Sequence, residues 1–255
     1  MTRRFILLVA LLTALVVGPA GGAHAILNGE PDGNAHPYVG MVTDYEYVCS
    51  GTFISPTVFI TAAHCFEEPG QEVFITVDPD GFAEDSAFVS GNWYPDPEFC
   101  IQCTGGLVGF DTHDIAVVIL DDPISLSSYA QLPSVGLVDR LQMGQGVEVV
   151  GYGVQDTLNK LDPGEFFTRY RAPAQLVQAN GRLSSEFVKV TANPAQGKGG
   201  TCFGDSGGPI LLGDTILGVN SFVTNSQCAG VTYANRIDTA EALAFINSII
   251  AAHDE

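Results

Sequence analysis

Short apolar runs alternate with clusters of Gly, Pro, Asn, Asp and Ser along most of the chain. Ten runs stand out: Tyr38–Val42, Thr52–Ile54, Val58–Ala62, Val73–Val77, Phe88–Val89, Ile115–Leu120, Val147–Tyr152, Phe187–Thr191, Pro209–Leu212 and Ile216–Val219. They are rich in Val, Ile, Phe and Thr, residues that suit a pleated and partly buried surface, so they predict strands. One segment changes to the helical period. Over Thr239–Ala252 the apolar positions Leu243, Phe245, Ile246, Ile249 and Ile250 share a face, with Asp238 placed to cap the N-terminus. The polar stretch Ser125–Gln145 separates two strand-rich halves, and no internal repeat or low-complexity tract occurs. Many strands followed by one terminal helix predict an all-β protein.

The first residues belong to a different kind of pattern. Met1–Arg4 is basic, Phe5–Val17 is apolar apart from Thr13, and Ala23-His24-Ala25 is an A-x-A cleavage site. That order predicts a secretory signal peptide over residues 1–25 and a mature chain from Ile26 to Glu255. At about 1.5 Å per residue the apolar run falls short of a hydrocarbon core roughly 30 Å thick, which argues against a membrane anchor. Arg3-Arg4 fits either general or twin-arginine export. Secretion to the extracellular space is the expected destination.

Charge narrows the partners. Without Arg3 and Arg4 the chain carries 8 basic and 29 acidic residues, a net charge of −21. So anionic a surface repels phosphate backbones and acidic lipid, excluding nucleic acid and membranes as expected partners. All six cysteines, Cys49, Cys65, Cys100, Cys103, Cys202 and Cys228, lie in the exported part. An even number in an oxidising compartment predicts three disulfides, with fifteen possible connectivities. Zinc is the competing reading of Cys100 and Cys103, but no second C-x-x-C or histidine pair accompanies them. Glu67, Glu68 and Glu72 read as solvated acidic surface, and no metal or cofactor is expected.

Three segments carry candidate chemistry, in the order His, Asp, Ser: Thr61-Ala62-Ala63-His64-Cys65, His113-Asp114 ahead of the apolar run Ile115–Leu120, and Gly204-Asp205-Ser206-Gly207-Gly208-Pro209. A serine hydroxyl needs an adjacent base to become a nucleophile at neutral pH. Histidine can take that proton and return it to a leaving amine, and a carboxylate behind the imidazole fixes its tautomer. Glycines around the serine let backbone N–H groups converge where negative charge develops. Asp111, Asp121 and Asp122 compete with Asp114, but only Asp114 is directly backed by the apolar run. His36 and His253 need no role. No G-x-S-x-G elbow surrounds Ser206, which weighs against an esterase or lipase.

On those motifs the chain resembles a trypsin/chymotrypsin-family serine protease from Ile26 to the final helix. The resemblance implies two six-stranded antiparallel β-barrels, one over residues 26–135 and the other over 136–255, forming one peptidase domain. His64, Asp114 and Ser206 are the implied catalytic residues, and the amides of Gly204 and Ser206 the implied oxyanion hole. It also implies Cys49–Cys65 and Cys202–Cys228 disulfides, leaving Cys100 and Cys103 as a local bond or two thiols. A freed Ile26 ammonium would pair with Asp205, so that signal removal itself makes the active chain end. The implied substrate pocket is formed by Gly200, Thr201, Phe203, Ser221, Phe222 and Val223. Gly200 stands where trypsin-like members carry the aspartate that selects basic side chains. Val223 stands where glycine is common, which is similar to elastase-like members and predicts cleavage after small or medium aliphatic residues. Polypeptide substrates and a monomeric state are expected. A non-catalytic binding module on the same fold is the alternative.

Overall fold

A computed structural model of the protein describes Ile26 and residues 29–103, 111–154, 167–178, 185–192 and 197–253. Residues 1–25, expected from the sequence to be a signal peptide, lie outside the described residues. Most of the apolar runs become strands, and the strands form two antiparallel barrels.

The first barrel contains β2 (Val39–Thr43), β3 (Val48–Phe53), β4 (Val58–Thr61), β5 (Glu72–Thr76), β6 (Val89–Pro95) and β7 (Ala116–Leu120). They close in the order β2-β3-β4-β7-β6-β5. Val39, Met41, Phe53, Phe59, Ile60, Ile75, Trp93 and Val117 fill its buried interior. The β2–β3 turn is built by Asp44, whose Oδ1 accepts the N–H groups of Glu46 and Tyr47. Strand β3 begins four residues before the Thr52–Ile54 run, because Cys49-Ser50-Gly51 is polar or small and gives no hydrophobic signal. Gly51 has no room for a side chain: a Cβ there would lie 2.3 Å from the Phe59 ring.

The second barrel contains β8 (Gly146–Gly151), β9 (Tyr170–Gln178), β10 (Phe187–Ala192), β11 (Pro209–Leu212), β12 (Thr215–Val223) and β13 (Gly230–Arg236). Its ring runs β9-β10-β13-β12-β11-β8 and closes through β8–β9, while the short β1 (Glu30–Pro31) adds to the outside of β9. Strands β9 and β13 are missing from the ten apolar runs. In β9 the buried residues Tyr170, Ala172, Ala174 and Leu176 alternate with outward Arg171, Pro173 and Gln175. Such a half-buried strand shows a period of two rather than a continuous run.

Helix α1 (Ala240–His253) packs Ala242 and Ile246 into the core and lies against β7. Its capping residue differs from the sequence expectation. Thr239 Oγ1 accepts the Ala242 N–H at 3.1 Å. Asp238 is instead fully buried, taking the Val138 N–H at 2.7 Å and two hydrogen bonds from Arg236. The strong partner offered by Arg236 outcompetes a helix N–H for this carboxylate.

A buried polar clamp joins the barrels. Arg169 is fully buried; it bonds Asp32 at 3.0 Å, the carbonyls of Gly33, Val39 and Val77, and the Tyr152 hydroxyl. Asp32 also accepts the backbone N–H of His36 and a 2.6 Å contact from its Nδ1. His36 therefore has a structural role that its polar sequence context did not suggest. Burial lowers its pKa, but Asp32 and Glu148 outweigh burial and push it up to about 9. Three disulfides complete the fold: Cys49–Cys65, Cys202–Cys228 and the local Cys100–Cys103.

Candidate active site

His64 sits in the short 3-10 turn Ala63–Cys65 that follows β4, and the Cys49–Cys65 bond staples that turn to β3. Asp114 precedes β7 and is fully buried. Its Oδ1 accepts the His64 backbone N–H at 2.8 Å, and its Oδ2 meets His64 Nδ1 at 2.6 Å. The Ser221 hydroxyl donates a further short hydrogen bond to the same Oδ2. Burial alone would raise the Asp114 pKa, yet the His64 charge and these hydrogen bonds hold it below the ordinary carboxylate value. Burial alone would lower His64, and the Asp114 charge and hydrogen bond hold it above the ordinary value. The pair is thus arranged to favour an imidazolium.

The Ser206 turn is pressed against the turn that carries His64. The Ser206 carbonyl accepts the Ser50 N–H at 2.8 Å, and the Gly207 N–H donates to Asn220 at 2.8 Å. Gly207 has φ +81°, and a Cβ there would lie 2.2 Å from Thr61 Oγ1 and 3.0 Å from the Ala62 nitrogen. Only glycine allows this approach of the two barrels. The last link, from imidazole to the Ser206 hydroxyl, is open; such hydrogen bonds commonly tighten around substrate.

Beside Ser206 the carbonyls are already occupied. The Phe203 carbonyl accepts the Val154 N–H at 2.7 Å, and the Gly204 carbonyl accepts Ser50 Oγ at 2.9 Å. Gly204 holds φ +93°. Neither the Gly204 nor the Ser206 N–H donates to a described residue. Two unspent donors beside a serine hydroxyl can stabilise an oxyanion.

Asp205 points the other way, into the second barrel, and is fully buried. Its carboxylate accepts the Gly153 N–H at 2.9 Å and the Cys202 N–H at 2.8 Å. Among the described residues no cation pairs with it, and burial pushes its pKa up to about 7. Ile26 is also fully buried, in the same barrel, within the cluster of Val138, Val147, Tyr170 and Leu217. In the uncut chain its nitrogen is an amide, and no ion pair joins it to Asp205.

Of the sequence-predicted pocket residues, Gly200 and Thr201 are buried on one side, and Ser221, Phe222 and Val223 end β12 on the other. Phe203 is 57% exposed, so it does not line the closed part. Phe222 stacks on Tyr233 with ring centroids 4.8 Å apart, and buried Phe187 meets both rings edge-on. Two functional side chains escaped sequence reading. Ser221 orients Asp114 as well as bordering the pocket. Thr232, fully buried on β13, pairs in register with Val223, and its Oγ1 accepts the Thr201 hydroxyl at 3.0 Å and N–H at 3.2 Å. Thr201, Thr232 and Val223 therefore bridge the two walls. Local sequence carried no sign of this, because the β12–β13 register brings Thr232 there.

The competing carboxylates Asp111 and Asp121 make no hydrogen bond to His64, although the charge of Asp111 adds to that of Asp114 in favouring the imidazolium. Asp121 accepts Ser90 Oγ at 2.5 Å, and Asp111 accepts the Gln102 N–H at 2.8 Å. The one His/Cys/carboxylate grouping among the described residues, Cys49, His64 and Cys65, offers no thiolate to a metal because both sulfurs share a disulfide.

The sequence is 28% identical to brachyurin from Leptuca pugilator over 82% of this chain and 88% of that protein. It is 26% identical to neutrophil elastase from Mus musculus over 97% of this chain and 91% of that protein. In structure it resembles human heparin binding protein with a TM-score of 0.67 at 18% identity, covering 88% of this chain and 96% of the other, a likeness of fold. The Trypsin family itself matches over residues 26–246, which spans both barrels and the whole candidate site. On that match the chain belongs to the trypsin family.

Proposed function

We propose that the protein is a secreted serine endopeptidase working through an acyl-enzyme intermediate. Ser206 attacks the scissile carbonyl while His64 takes its proton, and Asp114 holds the imidazole and stabilises the imidazolium. The N–H groups of Gly204 and Ser206 receive the oxyanion. His64 then protonates the leaving amine, and water repeats the sequence to release the acyl group. The observation that carries this function is the clamped Asp114. A fully buried carboxylate aimed at the one imidazole beside the Ser206 turn is costly to bury unless paired, and here three donors hold it.

Removal of residues 1–25 turns the Ile26 nitrogen into an ammonium that pairs with Asp205. The supporting observation is a buried carboxylate whose described partners are two backbone N–H groups and no cation. Cleavage follows small or medium aliphatic residues. Supporting this, Gly200 brings no charge to the pocket, while Thr201, Thr232 and Val223 occupy its base and mouth.

The test joins a phosphonofluoridate serine reagent to a panel of peptide nitroanilides. The secreted protein should start at Ile26, be labelled at Ser206, and turn over Ala and Val substrates faster than Lys or Phe ones. Ser206→Ala should lose the label and on the order of 10⁶ in kcat. Labelling with turnover of esters only would mean an esterase, and an unlabelled wild-type protein would mean a binding module.

A further inference from the structure

One half of the molecule carries charge of a single sign. No Lys or Arg occurs between Arg4 and Arg140, while residues 26–135 carry seventeen Asp and Glu residues. The basic side chains of the mature chain all belong to the second half, so the first barrel has no cation of its own except protonated histidine.

On this barrel lies an exposed strip of aromatic rings. Tyr45, in the β2–β3 turn, is 62% exposed, and Phe82, in the β5–β6 connection, is 42% exposed. They are not isolated. Tyr45 packs on Phe74 at 5.0 Å and on Phe88 at 6.2 Å, and Phe88 stacks on Phe82 at 5.6 Å. Phe82 in turn meets Phe167 edge-on at 5.1 Å. The rings hold one another in place, so a partner would find a surface with little side-chain entropy left to lose. Contiguous exposed apolar surface on a protein can serve as an interaction site.

Charge selects the occupant. Glu46 follows Tyr45, and Asp80, Glu84 and Asp85 flank Phe82; all four are exposed and none forms an ion pair with a described residue. A nucleic acid or an anionic lipid surface would be repelled. A Lys or Arg side chain gains twice, from the carboxylates and from the ring faces, where a cation is attracted by the π system. We propose that the Tyr45–Phe82 strip of the first barrel is a docking surface for cationic polypeptide segments, separate from the substrate pocket. The uniform negative field of the barrel steers such segments toward it. The strip is tied to the site through β3, which runs from the Tyr45 turn to Ser50, whose N–H bonds Ser206. A substrate held there stays close to the catalytic turn.

Binding can be measured without catalysis, which keeps this inference independent of the proposed activity. Fluorescein-labelled peptides of alternating lysine and phenylalanine, and of alternating glutamate and phenylalanine, are titrated by anisotropy against the Ser206→Ala protein. The lysine peptide should bind, weaken as salt rises, and lose about five- to tenfold in affinity in Y45S/F82S, the scale of two exposed cation–ring contacts. The glutamate peptide should not bind. The charge variant E46Q/D80N/E84Q/D85N, which keeps both rings, should flatten the salt dependence. Unchanged affinity in Y45S/F82S, or equal binding of the two peptides, overturns the proposal. In the Ser206 background, Y45S/F82S should leave turnover of a short neutral nitroanilide within about twofold of wild type. A parallel loss there would show that the strip is not separate from the site.

Discussion

Asp205 should report chain cleavage directly through the pH dependence of stability. In the uncut chain its folded pKa lies near 7 against an ordinary 3.8, because burial disfavours the charge and no cation among the described residues opposes it. Between those values the folded protein keeps a proton that the unfolded chain has released. The stability of the uncut form must therefore fall as pH rises from about 4 to about 7. The difference corresponds to about 4 kcal/mol between the two protonation states. Freeing Ile26 reverses the sign. An ammonium beside Asp205 pulls its pKa below the unfolded value, so its contribution is present above about 4 and lost only as pH falls through the depressed value. The ammonium itself, raised above its usual range of about 7.7–8.0, contributes below that range, and its contribution is lost as pH rises through the raised value. The cut form should thus gain on the uncut form by up to about 4 kcal/mol between pH 4 and 7, and give part of this back above pH 8. Urea unfolding of Ser206→Ala proteins beginning at Ile26 or at Ala23 measures both curves. The single tryptophan, Trp93, is buried in the first barrel and supplies the fluorescence signal. Parallel pH profiles for the two forms would refute the pairing of Ile26 with Asp205.

Four further outcomes follow from the geometry. Asp114→Asn should lower kcat by roughly 10⁴ and move the acidic limb of the kcat/KM profile, set by protonation of His64, to lower pH, since burial of His64 is then unopposed; a profile unmoved on a nitroanilide substrate would contradict the assigned coupling. Val223→Gly opens the pocket beside Thr232 and should raise the preference for Phe over Ala by roughly 10- to 100-fold on a peptide library. Arg169→Met strands Asp32 without its buried partner and should cost about 3–5 kcal/mol in urea unfolding, with Asp32→Leu in the same chain recovering much of the loss. The same clamp has a pH signature. Because His36 is pushed up to about 9, its pairing stabilises fully below about 6.5 and fades as pH rises through 9, a decline that His36→Gln should remove.

Strand recognition depended on how each strand buries its side chains. Runs such as Val58–Ala62 and Ile115–Leu120 were legible because the side chains of β4 and β7 are nearly all buried, so apolar residues follow one another. Strand β9 alternates, and Cys49-Ser50-Gly51 in β3 is shaped by contact with Phe59 and the Ser206 turn rather than by hydrophobicity. The helix was legible from its period, while its cap was not, because Arg236 and Val138 approach Asp238 from distant parts of the chain. His36 was passed over for the same reason: its partner Glu148 and the Arg169 that shares Asp32 lie more than a hundred residues away.

The chain order of His64, Asp114 and Ser206 and the glycines around the serine were legible in the sequence alone, since each is a local feature of backbone or chemistry. Tertiary structure decided everything that depends on two distant segments meeting. It placed Ser221 on Asp114, tied down the Phe203 and Gly204 carbonyls beside N–H groups that no described residue accepts, and brought Thr232 opposite Val223. The physical reason is common to these cases. Hydrogen-bond partners and pocket walls are set by strand register and barrel closure, and a one-residue slip of β13 would turn Thr232 to the opposite face without altering any local pattern.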